Sequence, residues 1–153
     1  MTPYDRAVRL LAVRPHFRAE LATKLAQRGY PAEEIENALD RLVAEGYVDD
    51  VQAARGFVAH RLERQGEGRL RLKAELVRRG ASEEAVGAAL AEVPEDDLAP
   101  AREAADKWAR GRRQPDPAAL ARHLARKGFS RRAIFAVLNE RPGDPPFLDE
   151  DDE

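Results

Sequence analysis

The sequence predicts an all-α protein built from three tandem three-helix modules, and three observations carry that expectation. With Gly29, Gly80 and Gly128 set in register, leucines precede each glycine at the same two places: Leu21 and Leu25, Leu72 and Leu76, Leu120 and Leu124. Six and ten residues after it stand Ile35 and Leu39, Val86 and Leu90, Ile134 and Leu138. Agreement at five positions in three copies marks an internal repeat. The apolar residues recur at helical spacing, and no run alternates with period two for long enough to make a strand. Paired aspartates, Asp49 with Asp50 and Asp96 with Asp97, stand where one module gives way to the next, and aspartate there caps a helix start and favours its positive pole.

The first module, residues 1–50, opens with a helix holding Val8, Leu10 and Leu11, continues with the Leu21 and Leu25 helix, and closes with the Ile35 and Leu39 helix. A basic residue stands before each register glycine: Arg28, Arg79 and Lys127. That order suits a helix end, where the cation meets the negative pole and glycine takes the left-handed closing conformation. The second module, residues 51–97, opens with a helix whose stripe is Ala54, Val58 and Leu62, with Phe57 beside it, and which closes near Arg64. A loop holding Gly66 and Gly68 follows, then a helix carrying Leu72 and Leu76 that stops at Gly80. The third module, residues 98–143, opens with Ala101, Ala104, Ala105 and Trp108 on one stripe, so Trp108 reads as core before it reads as a platform for a base. Modules of about 45 to 50 residues are near the size below which a lone domain struggles to bury enough surface, so neighbours should stack and share a core. The tail, residues 144–153, follows three prolines within five residues with continuous acid, cannot hold a helix, and is expected to be disordered.

Composition excludes several classes. The 153 residues include no cysteine, which removes disulfides and thiolate chemistry and makes a reducing cytoplasm the expected compartment. No apolar run approaches the roughly 20 residues of a membrane span, and the charges scattered through MTPYDRAVRL do not suit a secretory signal. His16, His60 and His123 are far apart, lie in no ligand spacing, and read as solvated surface residues. Gly66 and Gly68 are followed by RLRLK, without the lysine and hydroxyl residue of a nucleotide loop. Neither catalysis nor a cofactor or metal is expected.

Charge is the informative feature. The net charge is only -2, yet residues 98–143 hold 11 Arg and Lys against 4 Asp and Glu, and residues 144–153 hold 6 acids and no base. Asymmetry of this kind concerns partners more than fold. In the centre, Arg61, Arg64, Arg69, Arg71, Lys73, Arg78 and Arg79 crowd two helices and their loop. Arg71, Glu75 and Arg79 stand at steps of four and are placed to pair among themselves, and Arg78 and Arg79 also suit their helix end. Around Arg61, Arg64, Arg69 and Lys73 only Glu63 and Glu67 are near in sequence. In the third module Arg131 and Arg132 open the last helix, where the other copies place Glu33 with Glu34 and Glu83 with Glu84. Exposed cations there forgo roughly 0.3 to 1 kcal/mol each, so the departure points to an anion bound at that helix start, the alternative being that the acidic tail folds back and neutralises it. Arg122, Arg126 and Lys127 extend the patch, and these twelve cations are the candidate partner- and DNA-binding residues.

The segments RAELATKLAQRGY, EGYVDD and ARGFVAHRLERQGEGRLRLKAELVRRG resemble the RecX family of regulatory proteins, and the likeness runs from Leu10 to about Leu138. Phe17 departs from the pattern where a serine would cap the second helix, and Ala53 departs where an aromatic residue often follows the aspartate pair. The resemblance implies three modules bent into an elongated, curved array, acting as a monomer in the groove of a RecA recombinase filament on single-stranded DNA. It further implies inhibition of strand exchange, of DNA-stimulated ATP hydrolysis and of the co-protease activity in the SOS response, without a cofactor of the chain's own. The competing expectation is a winged-helix-like transcriptional regulator, suggested by ATKLAQRGYPAEEIENALDRLVAEGYV. No hairpin wing follows that segment, and its recognition helix would carry Glu33, Glu34, Glu36 and Asp40 toward phosphate. Direct competition for single strands, without a recombinase contact, is a third reading.

Overall fold

The computed structural model describes residues 1–64 and 66–141, so the acidic tail expected to be disordered lies outside the described residues. Among the described residues there are nine helices and no strand. They are α1 (Pro3–Val13), α2 (Arg18–Gln27), α3 (Ala32–Ala44), α4 (Asp50–Arg64), α5 (Arg69–Arg79), α6 (Glu83–Leu90), α7 (Leu98–Ala109), α8 (Pro117–Arg126) and α9 (Arg131–Asn139).

Local chemistry sets their ends. Thr2, Ser82, Asp116 and Ser130 accept hydrogen bonds from the amides of Asp5, Ala85, Ala118 and Ala133 at 3.1 to 3.2 Å, which satisfies first-turn donors that have no partner within the helix. Pro3 and Pro117 open α1 and α8, where a missing N–H loses nothing. The register glycines adopt φ of +89°, +94° and +89°, and each turn closes alike. Gly29 N–H donates to Ala26 O and Tyr30 N–H to Leu25 O, and the same pair of bonds recurs at Gly80 with Ala81 and at Gly128 with Phe129. This is the left-handed helix closure that the repeat pattern implied.

The described residues divide by proximity into two compact units, those of Met1–Val58 with Ala74–Glu92, and those of Ala59–Lys73 with the described residues from Val93 onward. Two of the three cuts fall inside helices of the second module, α4 and α5, because the two ends of α5 are engaged by different parts of the chain, and the third falls between α6 and α7.

In the first unit, Ala7, Leu21, Leu25, Ile35, Leu39, Leu42 and Val48 form a core, with Tyr4, Leu10, Leu11, Ala22 and Tyr30 packed on it. Val8, expected to belong to this helix's apolar side, is 41% exposed, because the buried face of α1 follows Tyr4, Ala7, Leu10 and Leu11. Asp49 caps α4 through the Gln52 amide at 3.1 Å, as expected of the aspartate pair. Asp50 does something else: its Oδ1 accepts from the Arg18 amide at 2.9 Å and its Oδ2 from the Ser82 amide at 3.2 Å, so one carboxylate serves the starts of α2 and α6. Together with Glu20 Oε1, which accepts from the Phe17 amide at 3.0 Å, it replaces the hydroxyl that Phe17 lacks. Phe17 is free to be core, and it is buried.

In the second unit, α7, α8 and α9 enclose Ala101, Ala104, Ala105, Leu120, Ala121, Leu124, Phe129, Ala133, Ile134, Val137 and Leu138. Leu98 and Trp108 pack against this cluster, so Trp108 is half-buried core, as its stripe implied. Asp97 repeats the part of Asp50, accepting from the Ser130 amide and hydroxyl at 2.6 Å each. Arg102 grips Glu140 through two nitrogens at 2.8 and 2.6 Å, and Arg141 meets Asp106, which strap α7 to the end of α9. Leu62 departs from expectation at 37% exposed, since the buried stripe of α4 stops at Val58.

Candidate nucleic-acid interface

The residues around Gly68 and Gly128 come together in a backbone crossing. The Gly68 amide donates to Lys127 O at 2.6 Å and the Leu70 amide to Gly128 O at 3.2 Å, while Arg71 Nη1 donates to Arg126 O at 3.2 Å. The unpaired amides that open α5 thus meet the unpaired carbonyls that end α8, and the two helix poles are of opposite sign. Only glycine permits this approach. A Cβ on Gly128 would lie 2.3 Å from Arg71 N, and one on Gly68 would lie 2.3 Å from Gly128 O. In the first unit Gly80 is similarly placed, with Ala19 Cβ 2.9 Å from the position its own Cβ would take, whereas nothing lies within 4 Å at Gly29. At Gly80 and Gly128 the glycine turn therefore receives the start of the second helix of the module before it. The repeat spacing located these glycines as helix ends; that two of them are also close crossings leaves no mark in one sequence.

Ten of the twelve candidate cations fall in the second unit and two, Arg78 and Arg79, in the first. The central group is divided by use. Glu67 holds both Arg61 Nε at 3.3 Å and Arg71 Nε at 2.9 Å, and Arg69 Nη1 reaches Val93 O at 3.4 Å. These three arginines fix the loop and the start of α5. The pairing differs from the expected ladder: Arg71 joins Glu67, Glu75 pairs with Arg78 at 3.7 Å, and Arg79 lies over the Phe57 ring at 4.9 Å. Arg64 and Lys73 are exposed.

On the third module's turn, Arg122, Arg126, Arg131 and Arg132 are exposed and Lys127 is half-buried. The start of α9 is not the vacant anion seat that its arginines suggest, because Asp97 already sits there, bonded to Ser130. Part of the reason two cations are tolerated at that pole is therefore a carboxylate supplied from α7's start, 33 positions upstream. The basic surface remains, with Arg126 and Lys127 held in place through their own carbonyls at the α5 crossing.

The histidines were expected on the solvated surface, and only His60 is exposed. His16 is 3% exposed, its Nδ1 2.9 Å from Arg14 O and its Nε2 2.9 Å from Lys24 Nζ. Burial, with Arg14 and Lys24 beside it, lowers its pKa from the ordinary 6.5. His123 is half-buried beside Trp108, with ring centres 6.0 Å apart, and its pKa is lowered by burial and by Lys127, Arg126 and Arg112. Arg112 lies over the Trp108 ring at 4.1 Å and donates to the Trp108 carbonyl, so this tryptophan is dressed by cations from its own chain. Sequence could not reveal His16, because its buried partners are a backbone carbonyl and a lysine eight positions away.

No group of three or more His, Cys, Asp or Glu is placed to hold a metal among the described residues, and no helix there is long and apolar enough to cross a membrane. Fold and surface define a helical-repeat protein that presents a basic turn. A profile of the first three-helix domain of RecX matches residues 4–42, and a profile of the second matches residues 49–90. The chain belongs to the RecX family, whose curated members are named as regulatory proteins. Regulatory protein RecX of Chromohalobacter salexigens is 38% identical over 130 residues, which cover 84% of this chain and 85% of that one. Its counterpart from Pseudomonas entomophila is 38% identical over 138 residues, 88% of each chain. A crystal structure of regulatory protein RecX superposes with a TM-score of 0.80 at 24% identity, over 91% of this chain and 72% of that chain. RecX from Lactobacillus salivarius superposes with a TM-score of 0.78 at 20% identity, over 90% and 93%. At such identities these two structures support the fold alone.

Proposed function

We propose that this chain binds the RecA filament on single-stranded DNA and inhibits its recombinase, ATPase and co-protease activities, as a regulator rather than a catalyst. The observation that carries the reading is the α8–α9 turn, where Arg122, Arg126, Lys127, Arg131 and Arg132 follow one another and the backbone is pinned by the Gly68 crossing. A pinned basic turn meets a phosphate-rich polymer without first losing much backbone entropy. In this reading Arg64, Lys73, Arg78, Arg79 and the five cations of the third module make the contacts, while Arg61, Arg69 and Arg71 position them.

The test follows strand-stimulated ATP turnover by the recombinase as the chain is titrated in. Turnover should fall in proportion to the chain added, and a flat titration removes the reading. The transcription-regulator alternative gains nothing from the geometry of α3. Its Glu36 and Asp40 are held by Arg18 at 2.7 Å each, and Glu33 and Glu34 stand exposed at its start, so the helix presents carboxylates where phosphate would have to come. Retention on duplex DNA of one particular sequence, with no recombinase present, would favour it instead.

A further inference from the structure

We propose that a cleft between α1 and α2 in the first unit is a second binding site for phosphate groups, formed by Arg6, Arg9, Lys24 and Arg28. None of these four is among the twelve cations above, and the proposal does not rest on recombinase binding. The cleft holds about 400 Å³ and is lined by those residues with Leu10 and Gln27, so its lining among the described residues contains no carboxylate. That volume admits a phosphate with part of its ester.

The arrangement runs against local preference. Arg6 and Arg9 stand three apart on α1, and Lys24 of α2 stands four before Arg28 at that helix's C-cap, so each helix sets like charges side by side. The negative pole of α2 explains Lys24 and Arg28. It does not explain Arg6, which sits near the positive pole of α1. The Nε of Arg6 is buried with no hydrogen-bond partner among the described residues, an unmatched guanidinium donor at the wall of the cleft that a shift of the side chain toward a bound anion would satisfy. Lys24 is oriented by His16, whose Nε2 lies 2.9 Å from Nζ. Beside Arg28 the Gly29 turn is bare, whereas the equivalent turns at Gly80 and Gly128 are covered by the chain itself.

Phosphate reaches such a cleft either as the backbone of a strand or as a free phosphate compound, and two probes separate them. The full chain is compared with its Arg6→Gln/Arg9→Gln/Arg28→Gln variant, first on fluorescein-labelled oligothymidylate across a salt series, then on inorganic pyrophosphate by calorimetry. If the cleft takes a strand, affinity for the oligothymidylate falls and the slope of log K against log salt shrinks by about 2, near 0.7 per cation removed. If it takes free phosphate, pyrophosphate binding is lost while the oligothymidylate curve stays. Equal behaviour of variant and parent toward both probes overturns the proposal. Because Arg6 is partly buried, the Arg9→Gln/Arg28→Gln variant is measured alongside; it leaves Arg6 in place and should show the same loss in smaller degree.

Discussion

A single hydrogen atom at the α-carbon decides more here than most side chains do. Gly29 and Gly128 share a φ of +89°, yet only Gly128 is crossed by another stretch of backbone. Gly29→Ala should therefore cost only the left-handed penalty of about 1 to 2 kcal/mol. Gly128→Ala must also push α5 away and lose the Gly68 and Leu70 hydrogen bonds, so its urea midpoint should fall by clearly more; equal midpoints would mean that the crossing carries no weight. The buried imidazoles give a second contrast. His16 and His123 both have lowered pKa values, so near the ordinary 6.5 the unfolded chain takes up protons that the folded chain refuses. Stability should be flat above that value and decline as pH falls below it, until the folded-state pKa values are passed. Thermal melts between about pH 8 and pH 5 should show this decline, and a His16→Gln/His123→Gln variant should lose it. Two carboxylates act at lower pH. Burial opposes ionisation of Glu20, but Arg14 and the Phe17 amide outweigh it, and Arg102 holds Glu140 ionised, so both give support that is lost only below about 4.5.

At the scale of the helix, α9 shows how a start that looks wrong in sequence is completed by a distant residue. Arg131 and Arg132 occupy the positions of Glu33 with Glu34 and Glu83 with Glu84, while Asp97 supplies the carboxylate through Ser130. An Arg131→Glu/Arg132→Glu variant places two more carboxylates near Asp97, so the usual gain of a few tenths of a kcal/mol from acids at a helix start should not appear in its melt. Inhibition of the recombinase should weaken in the same variant; undiminished inhibition would remove both residues from the interface. Helices and their glycine ends were legible in the sequence because they depend on neighbours within one turn, at the repeated leucines and at Gly29, Gly80 and Gly128. What stayed hidden depends on residues brought together from afar. Asp50 reaching Ser82, Asp97 reaching Ser130, and the amides of Gly68 and Leu70 on the α8 carbonyls all follow from how modules meet. The same limit misplaced Val8 and Leu62, which lie off the faces that α1 and α4 bury, and His16, which is buried with Lys24 of α2 beside it.

Over the whole chain the total charge of -2 is a poor guide to what the molecule attracts, because its cations and anions are segregated. Residues 98–143 are strongly basic, α3 shows a carboxylate face, and the acids of residues 144–153 follow the basic module in a block of their own. A polyanion meets the local field within a Debye length of about 8 Å, and the α8–α9 turn carries Arg122, Arg126, Lys127, Arg131 and Arg132 whatever the sum. Binding to single strands should accordingly be steep in salt for a protein of net negative charge. If Arg64, Lys73, Arg78, Arg79, Arg122, Arg126, Lys127, Arg131 and Arg132 each neutralise one phosphate, log K should fall against log salt with a slope near -6, at about 0.7 per contact. Fluorescence anisotropy of a labelled strand between about 50 and 200 mM salt measures it. A shallow slope would mean that the basic turn faces protein or water rather than nucleic acid, and inhibition would then have to come through contacts with the recombinase alone.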